Sequence, residues 1–500
     1  MKKLYFARQA VSGTLLDEIL ARGIAGERPC GLCGGRMACG RCRVRFLSGA
    51  PFPGAADRKF FSPEELRAGW RLACTARSTA ECEVEVCFVQ GPKTEILTVS
   101  HAGTGSAAQE SATEPGKDRA AGIAGISAGT VQDRFCAVDL GTTTVVMQLT
   151  DRVTGDVLLT HAFENPQRVY GTDVLSRLAA AADGKGELLQ ALILEGLKSG
   201  LAEMEQAGGF HEIILSGNTA MGHLLLGYPT ETLGRAPFVP YHIGSTRFSL
   251  AEHPALFLPG ISAFVGADIV SGIYACGMAR RDELSLFLDL GTNGEMALGN
   301  REGILCTATA AGSAFEGIVS AQIAGTDITA LAFSMLREGI MDETGLLREP
   351  WFTEGWPAGA DGRIVIRQQD IRELQMAKAA VCAGVSILLD RMDGWERLAR
   401  VYLAGGFGYY LDVEKAVGIG LIPAALRGRC QAVGNTSLAG AVLLGRAGRL
   451  QCQADIEERR LSVAEDRQLH HIVQISSSLN LARQPEFEER YIEAMRFGLL

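Results

Sequence analysis

The chain has 500 residues, a formal net charge of −9, 47% hydrophobic residues and 21% charged residues. A single hydrophobic core seldom exceeds about 250–300 residues, so we predict at least two domains. The basic residues are dispersed along the chain, which argues against nucleic-acid binding. No apolar run is long enough to span a membrane, so we expect no membrane partner. No apolar stretch follows Met1-Lys2-Lys3, so we predict no signal peptide and a cytoplasmic protein.

Cysteine is concentrated in the first part of the chain. Seven of the thirteen cysteines precede residue 88, and four of these fall between Cys30 and Cys42. Disulfides are rare in the cytoplasm, so a cluster of this kind predicts a metal site. The other six cysteines are predicted to be small buried hydrophobic residues.

The first ninety residues have the pattern of a [2Fe–2S] ferredoxin domain. Thr14-Leu15-Leu16-Asp17 predicts a capped amphipathic helix, and a glycine-rich loop then carries three cysteines, with a fourth further along the chain. The glycines allow amide N–H groups to approach the negatively charged sulfurs. We therefore predict a ferredoxin β-grasp domain over residues 1–90. The predicted cluster ligands are Cys33, Cys39, Cys42 and Cys74.

Two alternatives stay open for this group of cysteines. Cys30 competes for the first ligand position, and Cys33 is preferred because Cys-Gly-Gly-x-x-x-Cys-Gly-x-Cys is the ferredoxin-like form. A zinc knuckle could use Cys30 and Cys33 as one of its two Cys-x₂-Cys pairs. The predicted helix, the distant Cys74 and a predicted strand over Cys82–Val89 favour the ferredoxin domain instead.

Residues 91–133 have the composition of a flexible linker. Ala, Gly, Ser and Thr predominate, as in residues 102–108. Forty such residues would have a root-mean-square span of roughly 35 Å. We therefore expect the ferredoxin domain to swing between docking positions on the region that follows.

The rest of the chain contains a duplicated strand-Asp-x-Gly-Thr pattern. Its two copies are Val138-Asp139-Leu140-Gly141-Thr142-Thr143 and Leu288-Asp289-Leu290-Gly291-Thr292-Asn293. In each copy an apolar strand ends at an aspartate, which can hold Mg²⁺ or its water shell. The turn that follows offers amide and hydroxyl donors to phosphate oxygens.

A third turn of this type follows the predicted strand Val401–Ala404. Its residues are Gly405, Gly406, Phe407 and Gly408. Missing side chains allow backbone to approach an adenine or a ribose here. Each turn alone could be an ordinary strand-to-helix connection, but the three in this order predict ATP binding. The order resembles that of the actin, sugar kinase and heat-shock chaperone superfamily, whose fold is two-lobed and ribonuclease-H-like.

The predicted architecture is therefore α+β and α/β, with a β-grasp domain followed by an actin-like ATPase region over residues 134–500. We expect its lobes over 134–283 and 284–455, and a C-terminal extension over 456–500. The polar segment Asn165–Arg177 could be a solvated loop or part of the site.

Three single residues are further candidates in the predicted ATPase region. Asn218 is predicted at a helix N-terminus, and Asp268 adds a carboxylate beside glycine. Lys378 is predicted either to contact the nucleotide or to lie at the surface.

These motifs together resemble the ATP-dependent reductive activators of corrinoid enzymes, in which a ferredoxin domain precedes an actin-like ATPase region. Besides the cysteine loop, the matching segments are Phe61–Leu66, Gly69–Cys74, Asn165–Arg177, Ser216–His223, Gly266–Asp268, Asp289–Glu295, Ala310–Gly317, Leu403–Asp412 and Val433–Ala441. The family places a small domain between linker and ATPase region. Here the linker runs almost directly into Phe135, so we expect that domain to be missing.

The resemblance implies ATP-dependent electron transfer from the cluster to a corrinoid protein of a methyltransferase system, which reduces inactive Co(II) to active Co(I). It implies that Asp139 and Asp289 position Mg²⁺ or the attacking water, that the Gly-Thr turns hold phosphates, and that Gly405–Gly408 hold adenosine. An upstream electron donor is also implied. Two other functions stay open: electron delivery to another low-potential metalloenzyme, and a redox-sensing ATPase or small-molecule kinase. The general base and the oligomeric state, with a homodimer among the candidates, also stay open.

Overall fold

The structure is a computed structural model of the chain. The residues that it describes are 2–6, 14–21, 37, 40, 42–77, 81–87, 97–98, 130–291, 293–309, 315, 325–358, 364–448 and 463–498. Cys33, Cys39 and Thr292 lie outside the described residues, as does most of the predicted linker. Across the described part of the chain, no helix is both long and apolar enough to cross a membrane.

The N-terminal part of the chain forms one antiparallel sheet with a helix packed on it. Its elements are β1 (Lys2–Phe6), α1 (Leu15–Ala21), β2 (Arg43–Ser48), α2 (Ala55–Phe60), α3 (Pro63–Arg67), β3 (Trp70–Leu72) and β4 (Cys82–Val86). The strand order is β1-β4-β2-β3. Thr14 and Asp17 exchange hydrogen bonds at the start of α1, as the capping pattern predicts. Leu15, Leu16 and Ile19 of α1 are buried in the core of this sheet.

The second part of the chain begins with a six-stranded sheet, which we name the first lobe. Its elements are β5 (Arg134–Leu140), β6 (Thr144–Asp151), β7 (Val157–Glu164), α4 (Val174–Ala180), α5 (Gly186–Gln206), β8 (Glu212–Gly217), α6 (Thr219–Leu226), β9 (Thr246–Leu250), β10 (His253–Phe257) and α7 (Ala267–Cys276). The strand order is β7-β6-β5-β8-β10-β9. β8 is parallel to β5 and to β10, whereas β6 is antiparallel to β5 and β7.

A second six-stranded sheet, the second lobe, follows. Its elements are β11 (Leu284–Leu290), β12 (Gly294–Gly299), β13 (Ile304–Thr309), α8 (Gly325–Arg337), α9 (Trp351–Glu354), β14 (Trp356–Ala358), β15 (Ile364–Ile366), α10 (Gln368–Arg391), α11 (Gly394–Arg397), β16 (Leu398–Ala404), α12 (Gly405–Tyr410), α13 (Val413–Gly418), β17 (Cys430–Gly434), α14 (Thr436–Ala447), α15 (Val463–Ile475), β18 (Ser476–Ser478) and α16 (Phe487–Ala494). The strand order is β17-β16-β11-β12-β13-β18.

The two lobes repeat one topology. Reading each sheet from the antiparallel side, β7-β6-β5-β8-β10 of the first lobe corresponds to β13-β12-β11-β16-β17 of the second. In both lobes the first strand has an antiparallel partner on one side and a parallel partner on the other. The duplication seen in the sequence therefore places β5 and β11 at equivalent central positions.

Two helices that cross between the lobes join them. α14 follows β17 of the second lobe but packs against β5 and β8 of the first, and α7 contacts α14 as well as β11 and β12. The crossing is close, since a Cβ at Gly440 would lie 2.5 Å from the Ser271 carbonyl oxygen. Glycine at this position is therefore required by the packing of the two helices.

The C-terminal extension completes the second lobe. β18 pairs in parallel with β13 at the edge of the sheet, and α16 packs against α10. Lys378 of α10 is fully buried, and its Nζ donates at 2.6 Å to the carbonyl oxygens of both Ala494 and Arg496. The Phe497 ring centroid lies 4.8 Å from the same nitrogen. The prediction that Lys378 contacts nucleotide or lies at the surface is wrong, because this lysine holds the C-terminal segment.

We predict that Lys378 makes stability depend on pH in an alkaline window. Burial lowers the pKa of Lys378 from 10.5 to about 8, so between these values the unfolded chain binds the proton more strongly than the folded chain. The contribution of Lys378 to the free energy of unfolding should therefore rise with pH through that window. Urea unfolding across the window should show this rise in the unsubstituted chain and lose it in Lys378→Met.

The matched control for this prediction is Lys198→Met. Lys198 is an exposed lysine in the middle of α5, so its replacement should leave the pH dependence unchanged. An equal rise in the unsubstituted chain and in Lys378→Met would contradict the prediction.

Candidate active site

The two predicted aspartates occupy equivalent positions near the ends of two strands. Asp139 is the next-to-last residue of β5, and Asp289 is the next-to-last residue of β11. In each lobe the adjacent parallel strand, β8 or β16, ends at the same edge of the sheet. The carboxyl ends of parallel strands are where open α/β sheets bind ligands. The repeated topology thus turns both carboxylates toward one cleft, and the charge of Asp139 contributes to raising the pKa of Asp289.

The turn after β5 is held from behind by side chains of two distant segments. Asn165 donates from Nδ2 to the Gly141 carbonyl oxygen at 2.8 Å, and its backbone N–H donates to the Thr143 carbonyl oxygen at 2.8 Å. Asn218, the N-cap residue of α6, donates to Thr142 Oγ1 at 2.8 Å. The polar segment that begins at Asn165 is therefore a support of this turn and not a solvated loop.

Arg177 lies behind the same turn and is fully buried. Its guanidinium donates to the carbonyl oxygens of Thr142 and Gly171 and, at 3.3 Å, to Gln167 Oε1. A guanidinium keeps its charge at physiological pH, so it adds positive potential behind a turn suited to phosphate. The sequence pattern indicated the segment that carries Arg177 but not this role.

The Asp139 carboxylate is held by the N-terminus of α14, which carries no predicted site residue. Ser437 Oγ donates to Asp139 Oδ1 at 2.7 Å, and Asn435 Nδ2 donates to Asp139 Oδ2 at 2.9 Å. Ser437 also lies 2.9 Å from Ser216 Oγ at the end of β8. Burial raises the pKa of Asp139, while the bonds from Ser437 and Asn435 lower it. The only sequence signal for this support was the place of these residues in a segment shared with the resembling family.

Two further carboxylates, the half-buried Asp268 and the buried Glu295, belong to the same cleft. Asp268 lies in the first turn of α7, and Glu295 pairs with Asp289 across β11 and β12. Burial, and then the charges of Asp268 and Asp139, raise the pKa of Asp289 to about 8. Burial also raises the pKa of Asp268 to about 7, with Asp139 adding to the shift. Burial, and then Asp268 and Asp289, raise the pKa of Glu295. The four acidic groups make the cleft attractive to cations.

The turn after β11 and the glycine turn after β16 border this cleft. Among the described residues, no atom beyond the chain neighbours lies within 4 Å of a Cβ built at Gly291 or Gly406. Gly405 has a φ of +77°, and a Cβ there would lie 2.4 Å from Asp289 Oδ1. Only glycine fits this position without strain. The start of α12 therefore presents bare backbone beside Asp289.

The remaining predicted nucleotide-binding residues differ in which of their atoms are accessible to a nucleotide. Phe407 is buried and stacks on Phe315, with ring centroids 4.3 Å apart, so its side chain belongs to the core of the second lobe. Gly408 is also buried in α12. The Gly291 N–H donates to the Asn293 carbonyl oxygen at 2.9 Å and closes the second turn. Residues Gly405–Gly408 could therefore contact a nucleotide only through their backbone atoms.

Two of the four predicted cluster ligands lie at one end of the N-terminal sheet. Cys42 immediately precedes β2, and Cys74 is the second residue after β3. The Ala73 N–H donates to the Cys42 carbonyl oxygen at 2.8 Å, which extends the β2–β3 pairing to the cysteines. Asp57 supports this end from α2 by accepting the Leu72 N–H at 2.8 Å. Both cysteines are buried, and they suit two ligand positions of a thiolate-bound cluster.

The donor set of the cleft suits Mg²⁺ that arrives with ATP. Mg²⁺ usually binds one or two carboxylates together with waters and substrate phosphates. Within the residues that the structure describes, no three His, Cys, Asp or Glu side chains form a ready-made metal site. Asp139 and Asp289 would hold the ion through this mixed shell, and the open backbone at Gly291 and Gly406 would face the nucleotide.

Three family models match the chain. The 2Fe-2S iron-sulfur cluster binding domain matches residues 7–79. The RACo middle region matches residues 136–281, and the C-terminal domain of RACo, the ASKHA domain, matches residues 283–322 and 319–498. These matches confirm the predicted ferredoxin domain and actin-like ATPase fold. The middle region coincides with the first lobe, and the absence of a small domain between the linker and the ATPase region stays a prediction.

Similar proteins are also found among curated proteins and solved structures. The chain is 28% identical to the corrinoid activation enzyme RamQ of Eubacterium limosum over 436 residues, covering 72% of this chain and 70% of that protein. It is 23% identical to the Co(II) methylated amine-specific corrinoid protein reductase of Methanosarcina barkeri, covering 61% and 68%. A solved reductive activator for corrinoid, iron-sulfur protein superposes with a TM-score of 0.63 and 24% identity, covering 98% of this chain and 96% of that chain. This structural likeness supports the fold.

We predict that Cys42→Ser and Cys74→Ser each lose the cluster, because each removes a thiolate at the same end of the sheet. Anaerobically purified protein should contain two irons per chain, with the visible absorption of a [2Fe–2S] centre. Cys30→Ser should keep both properties, and so should Cys82→Ser, a control within β4. Iron near four per chain, or zinc in place of iron, would contradict the assignment.

We also predict that Asp289→Asn loses ATP hydrolysis by about a hundredfold or more, while thermal stability without nucleotide rises. An acid whose pKa is raised on folding opposes folding once pH exceeds its unfolded value, so a neutral amide relieves this cost near pH 7. Asp282→Asn, at an exposed carboxylate paired with Arg301, is the matched control and should change neither property. Hydrolysis assays and thermal unfolding test both parts, and full turnover in Asp289→Asn would make the carboxylate structural.

Proposed function

The chain belongs to the RACo family, and from this premise we propose that it uses ATP to drive an electron from a [2Fe–2S] cluster to a corrinoid protein. The acceptor in this proposal is Co(II), which is reduced to Co(I). An upstream low-potential donor would reload the cluster. The similar proteins whose names refer to corrinoid activation and corrinoid-protein reduction support this acceptor class.

The observation that carries the proposal is the presence of both chemistries in one chain. Cys42 and Cys74 lie at the same end of a ferredoxin-like sheet, and Asp139 and Asp289 border the same cleft of a two-lobed ATPase fold. The first set suits one-electron transfer, and the second suits phosphate chemistry. A small-molecule kinase would need only the second set, so the ferredoxin domain favours ATP-driven electron transfer.

ATP is needed because the transfer is uphill. A plant-type [2Fe–2S] centre has a reduction potential near about −400 mV, and Co(II) in a resting corrinoid is harder to reduce. Each deficit of about 59 mV for one electron costs a factor of ten in the equilibrium constant. Nucleotide can offset this deficit only if the states before and after hydrolysis bind the partner with different affinity.

The cleft residues take distinct roles in hydrolysis. Asp139 and Asp289 would hold Mg²⁺, which would offset charge on the phosphates, and the backbone of the two turns would bind phosphate oxygens. Burial is the main cause that raises the pKa of Asp268 to about 7. A carboxylate with this pKa is suited to accept a proton from the attacking water near neutral pH. Arg177 supports the first turn electrostatically from behind.

We predict that Co(I) forms only when the protein, a Co(II) corrinoid protein, a reductant and Mg·ATP are all present. Visible spectroscopy under anaerobic conditions measures Co(I), and phosphate release measures hydrolysis. Cys42→Ser should lose Co(I) formation but keep hydrolysis that the partner stimulates, because the cleft is intact. Asp289→Asn should lose both. Equal Co(I) yield without nucleotide, or hydrolysis indifferent to every corrinoid protein offered, would contradict the proposal.

A further inference from the structure

The segment Leu97–Thr98 of the predicted linker lies against the ATPase region. Leu97 is buried, and its carbonyl oxygen accepts a hydrogen bond from Asn435 Nδ2 at 3.4 Å. The Thr98 carbonyl oxygen accepts a hydrogen bond from Gln148 Nε2 of β6 at 3.2 Å. This short piece of the linker is therefore bonded to a strand of the first lobe and to the N-cap residue of α14.

Asn435 is the residue at which this segment meets the candidate active site. Its Oδ1 accepts the Leu438 N–H at 2.9 Å and caps α14. Its Nδ2 donates to Asp139 Oδ2 at 2.9 Å as well as to the Leu97 carbonyl oxygen. A primary amide carries two N–H hydrogens, so both bonds can exist at the same time. Together the three bonds leave the Asn435 side chain one orientation.

We propose that Asn435 is a positioning residue that couples docking of Leu97–Thr98 to the orientation of Asp139. With the linker docked, the Leu97 carbonyl oxygen binds one amide hydrogen and so directs the other at Asp139. When the linker leaves, the amide can turn, and Asp139 loses a fixed donor. Hydrolysis is then slower. The inference rests on ATP hydrolysis in this cleft, which is part of the proposed function.

The same contact sets how far the ferredoxin domain can travel. From Cys87 to Leu97 the chain has ten residue steps, which span at most about 35 Å when fully extended. Counted instead to Thr130, the next residue after Thr98 that the structure describes, the limit would be about 150 Å. A second contact joins the same domain to the first lobe, since Lys185 Nζ lies 2.7 Å from Asp17 Oδ1. The Asn435 amide therefore couples the position of the cluster domain to the orientation of Asp139 in the ATP cleft.

The first test compares steady-state ATP hydrolysis by full-length variants. Leu97→Asp places a charge in a buried position and should release the segment, whereas Thr98→Ala keeps the carbonyl that Gln148 binds and is the matched control. We expect Leu97→Asp to lower kcat about twofold to tenfold, the value of one hydrogen bond. The KM for ATP should stay unchanged, because the nucleotide contacts are intact. Thr98→Ala should change neither constant.

The second test asks whether the effect passes through Asn435. In an Asn435→Ser background, serine still caps α14 but is too short to reach Asp139, so adding Leu97→Asp should lower kcat no further. Asn435→Asp also caps but cannot donate, and it should behave in the same way. In a Ser437→Ala background, which removes the other bond to Asp139, the effect of Leu97→Asp should persist in full.

Docking itself is measured without reference to activity. Trypsin cleaves after Lys93, four residues before Leu97, and a docked segment should hinder that cleavage. Cleavage after Lys117 provides an internal reference within the same chain. Relative to this reference, cleavage after Lys93 should be faster in Leu97→Asp and in Asn435→Ser, and unchanged in Thr98→Ala.

Two results would overturn the inference. An equal effect of Leu97→Asp with and without Asn435 would mean that the segment acts by another route. Unchanged cleavage after Lys93 in Leu97→Asp would mean that the segment is not docked. Neither experiment contains a corrinoid protein, so failure of Co(I) formation would count against the proposed electron acceptor and not against this coupling. Absence of hydrolysis in the unsubstituted chain would overturn both.

Discussion

The structure depends on bringing four carboxylates, one buried and three half-buried, into one cleft. Removing a charge from water costs several kcal/mol unless hydrogen bonds or an opposite charge offset it. The fold offsets part of this cost at Asp139, where Ser437 and Asn435 donate two hydrogen bonds. Burial and mutual repulsion still raise the pKa of Asp268 and Asp289. The cleft is thus most stable when a cation enters, and nucleotide binding and ion binding reinforce each other.

The crossing of α7 and α14 makes this electrostatic arrangement a property of both lobes. α14 follows β17 of the second lobe, yet residues at its N-terminus donate hydrogen bonds to Asp139 of the first lobe. Ser216, Ser271 and Ser437 continue the network through the crossing. A rotation of one lobe about this pair of helices would move α14 against β5 and change the support of Asp139. A change in the angle between the lobes would therefore also change the geometry of the active site, as in other domain-closure mechanisms.

Sequence reasoning succeeded where chemistry is encoded locally. The capped start of α1 and the strand-Asp pattern of β5 and β11 follow from periodicity and turn residues within short windows. It failed where a partner is distant in the chain. Lys378 meets carbonyl oxygens of Ala494 and Arg496, and Asn435 meets Asp139, because helices pack together in ways that no local window contains. Asp268 was visible beside glycine, but only the assembled cleft explains its shifted pKa.

The short strand β18 has a consequence for biosynthesis. It covers the edge of β13 with parallel pairing from Ser476–Ser478, although β13 ends at Thr309. An uncovered strand edge offers unpaired N–H and C=O groups to any other extended chain. During translation, about 5–20 residues are added per second. Many seconds therefore pass between the synthesis of β13 and that of β18, and the edge of β13 is unpaired during this interval. A nascent second lobe is accordingly open to pairing with other chains until Ser478 has been synthesised, and chaperone assistance would be needed most in that interval.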